Sequence, residues 1–195
     1  MTPFPILRTA LICAALALPH AAAAQEEAAP ETEMLPVEPM MTGNGEPFVA
    51  ATHRDWQILC NRFGEGEQEQ EVCEMYKLLE TDDGPIAELS IAALPEGSQF
   101  PAGMTVTTPL ETFLPAGVVV RIDSGQPRQE PFLVCMVIGC IARIGLDESE
   151  VSAMQRGVNA FVTIASIAAA DQPIELPVSL LGFTAALEDL RARQQ

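Results

Sequence analysis

Four cysteines, Cys60, Cys73, Cys135 and Cys140, constrain this chain more than any other feature. A fifth, Cys13, falls in a segment that reads as a secretory leader. Arg8 is the only charged side chain before Glu26, and an apolar run, Ala10 to Leu18, follows it. Pro19 and His20 break the run, and Ala21 to Ala24 offer small residues to a signal peptidase. This charged, apolar, small-residue order predicts a signal peptide over residues 1–24, cut after Ala24. The run is far shorter than the roughly 20 residues of a membrane-spanning helix. Cys13 lies inside it after Ile12, a poor setting for lipid attachment. Removing the leader leaves four cysteines, an even number, in a chain bound for an oxidising compartment, which predicts two disulfides.

The cysteines fall in two local pairs. Trp56 to Cys60 is a short apolar run, and Val72 to Leu79 alternates loosely. The polar stretch Asn61 to Glu71 between them, with two glycines, reads as a hairpin loop. Phe132 to Cys135 and Ile141 to Ile144 flank a tight turn at Ile138-Gly139. Pairing Cys60 with Cys73 and Cys135 with Cys140 closes each hairpin at short range. Chain entropy assigns about 3 kcal/mol to the longer loop and about 2 kcal/mol to the shorter. The crossed pairings, which would tie the two hairpins together, stay open from spacing alone.

The remaining pattern is mostly β. Residues 25–47 carry six glutamates, four prolines and no base, and are read as an acidic disordered tether. Residues 48–195 are read as one domain, large enough for a single core. Asp82 to Pro85, Pro95 to Gly97 and Asp123 to Pro127 are turns by composition. Strands are expected over 87–93, 118–122, 160–164 and 174–179, the last at a sheet edge or bulged because of Pro177. Asp147, with Glu150 three residues on, predicts a capping box, with Leu146 and Val151 as its hydrophobic staple and Gly157 as the stop. Phe183, Ala186, Leu187 and Leu190 repeat at i, i+3, i+4 and i+7, the stripe of a C-terminal helix. Short strands between Gly/Pro turns imply an antiparallel β-sandwich with a short internal helix and a C-terminal helix.

Charge and residue inventory exclude several chemistries. Without the leader, nine bases face 27 acids, a net charge of −18. Such a surface repels phosphate backbones and anionic headgroups, so nucleic acid is not an expected partner. No apolar stretch after the leader is long enough to span a bilayer. Zinc fails on spacing, because neither pair is CxxC and the mature chain has one histidine, His53. A redox pair would have two residues between its cysteines, and Cys135 and Cys140 have four. A Ser-His-acid triad would need His53, which is read as a surface residue beside the tether. Glu65, Glu67, Glu69 and Glu71 crowd one loop but lack the Asp/Asn spacing of calcium loops. Trp56, the only tryptophan, is assigned to the core. No catalytic residue, metal or cofactor is expected.

Five segments in order carry a family resemblance: Asp55-Trp-Gln-Ile-Leu-Cys60; Cys73; Leu114-Pro-Ala-Gly-Val-Val-Val-Arg-Ile-Asp123; Cys135-Met-Val-Ile-Gly-Cys140; and Val178-Ser-Leu-Leu-Gly-Phe-Thr-Ala-Ala-Leu187. Over Asp55 to Leu190 the chain resembles invasion-associated locus B proteins. The resemblance implies an exported α-proteobacterial envelope protein with a β-sandwich fold, associated with host-cell invasion and with no assigned reaction. It carries over no catalytic residue. The expected location is the periplasm or the cell surface. The expected task is binding of an envelope protein, glycan or host-surface component through a sheet edge or loop. The alternative is a carbohydrate-active protein that binds or cleaves wall or capsule sugars, against which the scarcity of aromatics counts. N-terminal sequencing of the protein from cells should begin near Gln25. An intact Met1 on the envelope-located material would refute the leader.

Overall fold

The structure, a computed structural model, describes residues 46–194 except Glu65. The leader and all but the last two residues of the proposed tether lie outside the described residues.

Eleven strands form two antiparallel sheets among the described residues. They are β1 (Phe48–His53), β2 (Trp56–Phe63), β3 (Gln70–Thr81), β4 (Gly84–Ala93), β5 (Ala102–Thr108), β6 (Val118–Ile122), β7 (Arg128–Glu130), β8 (Val134–Met136), β9 (Gly139–Leu146), β10 (Asn159–Ser166) and β11 (Ala169–Ser179). The larger sheet has the order β1-β2-β3-β4-β5-β9-β8, and the smaller β11-β10-β6-β7. Two helices, α1 (Glu148–Arg156) and α2 (Phe183–Arg193), complete the fold. It is an antiparallel β-sandwich with one internal and one C-terminal helix.

Alternation sets which face of each strand is inside. Trp56, Ile58 and Cys60 of β2 point inward, as do Cys73, Met75 and Leu79 of β3 and Leu89 and Ile91 of β4. Strand β5 buries Ala102, Met104, Val106 and Thr108, and presents Gly103, Thr105 and Thr107 outward. Its outward threonines and glycine mask the period of two, so composition alone does not announce it. The first strand, β1, and the three-residue β7 are likewise absent from the pattern reading, and β11 starts five residues before the expected 174. Pro177 sits on an edge strand, as its missing N–H requires.

The hairpin turns are tighter than the composition implied. Thr81 pairs with Gly84 across Asp82-Asp83. Met136 pairs with Gly139, so the tight turn is Val137-Ile138, one residue earlier than the expected Ile138-Gly139. The Asn61–Glu71 loop is shortened by strand pairing out to Phe63 and Gln70, with a 3-10 turn at Gly66–Gln68.

Helix α1 starts where the capping box demands. The Asp147 carboxylate accepts from the Glu150 N–H (2.8 Å), and the Glu150 carboxylate accepts from the Asp147 N–H (2.9 Å). The Ser149 hydroxyl and the Glu150 N–H hold the Asp147 carboxyl below its usual range. Leu146 and Val151 are both buried at the staple positions. Arg128 then locks α1 to the smaller sheet, donating to Glu150 (2.8 Å), Glu130 (2.6 Å) and the Gly145 carbonyl (3.0 Å).

Helix α2 covers the part of the larger sheet that the smaller one leaves open, packing on β1 to β4. Phe183, Ala186, Leu187 and Leu190 are fully buried there. Phe183 meets Trp56 edge to face, with ring centroids 5.5 Å apart at 78°. The segment leading into α2 clasps the β1–β2 turn. Trp56 Nε1 donates to the Ser179 carbonyl (3.0 Å) and the Asp55 N–H to the Leu181 carbonyl (3.3 Å). Gly182 has φ of 94°, and a Cβ there would stand 2.0 Å from the His53 carbonyl oxygen. Gly182→Ala should therefore cost about 1–3 kcal/mol from backbone conformation alone, and more from the clash. Urea unfolding measures this, and a midpoint unchanged from wild type would refute the close approach.

Candidate interaction surface

The structure pairs Cys60 with Cys73 and Cys135 with Cys140, with Sγ–Sγ distances of 2.03 and 2.06 Å. Both pairs sit directly opposite in an antiparallel ladder, so register brings each pair together. Their surroundings differ. Cys60 and Cys73 point into the core and are buried. Cys140 is buried, but Cys135 lies on an edge strand whose three residues are all exposed.

The β8–β9 hairpin forms an unusual surface. Val137 is 97% exposed and Ile138 73% exposed, and Leu133, Val134 and Met136 are exposed beside them. Turns normally carry Gly, Asn, Asp or Ser. Here the turn is the most apolar exposed point described, and the disulfide lies immediately behind it. The base of the hairpin is fixed by hydroxyls: Thr108 Oγ1 donates to the Cys140 carbonyl (3.3 Å) and accepts from Thr112 Oγ1 (2.8 Å). Gly139 has φ of 135°, and a Cβ there would meet the Thr108 carbonyl oxygen at 2.3 Å. Thus Cys-x4-Cys ending in Gly-Cys closes a clamped hairpin tip. The sequence marks the hairpin but not the exposure of its apolar residues. The available signal was the apolar Met136-Val137-Ile138 run where a turn required polar residues.

The other candidate chemistries are placed as follows. Cys60 Sγ, Cys73 Sγ and a Glu71 oxygen lie within 4.8 Å of one another. The two sulfurs are bonded to each other, so neither is a thiolate available to a metal. Glu69 and Glu71 flank Arg62 at 3.8 and 3.4 Å. His53 is part of β1 rather than a free surface residue: its Nε2 lies 2.7 Å from the Asp189 carboxylate, tying β1 to α2. His53 and then Arg193 hold the Asp189 carboxyl below its usual range. Trp56 is buried in the core.

Two further surfaces bear on the sugar alternative. An open groove of about 1830 Å³ runs between the 94–101 loop, the start of α1 and the end of α2. Its charged lining, Glu71, Glu96, Asp147, Glu148, Arg191 and Arg193, mixes both signs, and Arg193 is taken up by Asp189 (2.9 Å). On the outer face of the larger sheet, Gln57, Tyr76, Ser90, Thr105 and Arg143 pair in one row across five strands. Burial raises the Glu74 carboxyl beside this row, and burial followed by the Glu88 charge raises the Tyr76 phenol.

A family model described as invasion associated locus B (IalB) protein matches residues 56–191. Two invasion protein B homologs of Brucella abortus, from strain 2308 and from biovar 1 strain 9-941, are each 26% identical over 152 residues. The match covers 76% of this chain and 82% of each relative. The crystal structure of invasion associated protein B from Bartonella henselae superposes with a TM-score of 0.60 at 24% identity. That match covers 77% of this chain and 97% of the Bartonella chain. Among the described residues, no helix is long and apolar enough to cross a membrane.

The contrast between the two disulfides gives an ordered reduction. Under native conditions with limiting thiol, Cys135–Cys140 should open before Cys60–Cys73, because attack needs access to sulfur. Alkylation and peptide mapping reads the order, and first alkylation at Cys60 or Cys73 would contradict it.

Proposed function

The chain belongs to the invasion associated locus B family, and from that premise we propose that it is a non-enzymatic cell-envelope module. It acts by binding an envelope or host-surface component through the β8–β9 hairpin. The observation that carries this reading is the tip itself: Val137 and Ile138 stand almost uncovered at the end of a hairpin closed by Cys135–Cys140. An exposed apolar cluster lowers solubility and contributes nothing to a core, so its use lies in contact with something else. Both disulfides and the invasion protein B names of the relatives support export to the periplasm or cell surface.

A second reading, binding of wall or capsule sugars, is favoured by one observation. Tyr76 shares the outer sheet face with Glu74 and Glu88, an aromatic beside two carboxylates.

Affinity capture from an envelope extract separates the two. The disulfide-intact chain from Gln25 should retain a component that the double variant Val137→Asp/Ile138→Asp loses at least tenfold. The variant's unfolding midpoint should stay unchanged, since both positions are exposed. If the double variant retains the same component and Tyr76→Ala loses it, the hairpin reading fails and the sugar reading takes its place.

A further inference from the structure

Resting on the hairpin as the contact surface, we propose that its occupant is a lipid bilayer with neutral headgroups, which Met136, Val137 and Ile138 enter as a shallow wedge.

Shape is the first ground. The apolar side chains sit on a convex turn, and Val137 and Ile138 are the two most exposed large apolar residues described. A convex tip needs either a matching slot or a fluid medium. This chain's own large groove offers no slot to a second copy, because charged side chains such as Glu71, Asp147 and Arg191 line it. Two tips laid against each other bury too little. An apolar patch of this kind covers about 300–600 Å², against the about 800 Å² per partner of a stable interface.

Charge is the second ground. Residues 131–142 contain no charged side chain, in a chain whose net charge is −17. In the loop that follows Thr108, the Ile167 N–H donates to the Glu111 carbonyl (2.8 Å), which joins exposed Ile167 to that loop. Leu110 lies there too, two residues past Thr108, the partner of Cys140. Anionic headgroups would be repelled by the protein as a whole, so attraction must come from apolar burial into a neutral surface.

Backbone pairing is the third ground. Hydrocarbon does not tolerate unpaired N–H and C=O groups. The ladder pairs Val134 with Ile141, Cys135 with Cys140 and Met136 with Gly139, right up to the two-residue turn. Among the described residues, no strand pairs with the outer edge of β8. Insertion therefore carries only the side chains of Met136, Val137 and Ile138 below the headgroups, leaving the turn backbone and that edge among headgroups and water. The disulfide keeps the turn closed, so little order has to be gained on insertion.

Co-sedimentation with sucrose-loaded phosphatidylcholine vesicles tests this, using the chain from Gln25 with both disulfides intact. The wild type should partition onto the vesicles, and Val137→Asp/Ile138→Asp should partition at least tenfold less with the same unfolding midpoint. Replacing a third of the lipid by phosphatidylglycerol should weaken binding. A second variant, Val137→Trp, should show a blue-shifted emission on adding phosphatidylcholine vesicles, against the constant background of the buried Trp56. Binding that rises with phosphatidylglycerol, or equal binding by the double Asp variant, would overturn the wedge. A wild type that ignores vesicles, while the double variant still loses its envelope-extract component, would overturn the lipid occupant and leave the hairpin reading standing. A double variant altering neither readout would remove both. A concentration-dependent dimer abolished by the same variant would assign the tip to a second copy instead.

Discussion

A seven-stranded sheet cannot be covered by a four-stranded one, and the rest of this structure depends on how the uncovered part is closed. The closure is the docking of α2, and its key contact is Phe183 against Trp56. Each side chain is fully buried, and each aromatic ring brings about 150–250 Å² out of water. The approach is possible because the chain enters α2 through Gly182, in a conformation and at a distance that a side chain would forbid. Around this point polar groups are matched. Trp56 donates its indole N–H to Ser179, His53 meets Asp189, and the Lys77 ammonium reaches the Asp55 carbonyl (2.9 Å). Lys77 lies on the inward face of β3, and burial lowers its pKa. Its stem crosses apolar surface while its head reaches the end of the sheet.

What could be read from sequence follows from how local each signal was. The cysteine pairs are neighbours across single hairpins, so spacing and register lead to the same partners. The α1 cap is a four-residue signal, and the α2 stripe needs only its own period. Strand β5 is different. It is central, yet it shows glycine and threonine outward and one buried threonine inward, and only its pairing with β4 and β9 identifies it. His53 is different for the same reason: its partner, Asp189, is 136 residues away. The Ser-Leu-x-Gly-Phe segment was legible as a motif but not as a clasp, because the His53 carbonyl that forbids a side chain at Gly182 belongs to another strand.

The two disulfides do different physical work. Cys60–Cys73 joins strands that already share seven paired positions and a buried inner face. Burial would hold that hairpin together without it, and the bond adds to a structure already specified. Cys135–Cys140 joins a ladder of three paired positions, one strand of which is wholly exposed. A hairpin this short is marginal in water, and β8 buries nothing that would secure it. The loop-closure contribution, about 2 kcal/mol, is of the size needed to keep such a hairpin closed. A chain selected only to fold has no use for an apolar turn in that place, since a polar turn would satisfy the same ladder at lower risk of aggregation. The covalent bond therefore preserves a shape that burial does not supply, and the shape it preserves is the tip. Met136, Val137 and Ile138 therefore stand exposed at the end of a hairpin held closed by the sulfurs behind them.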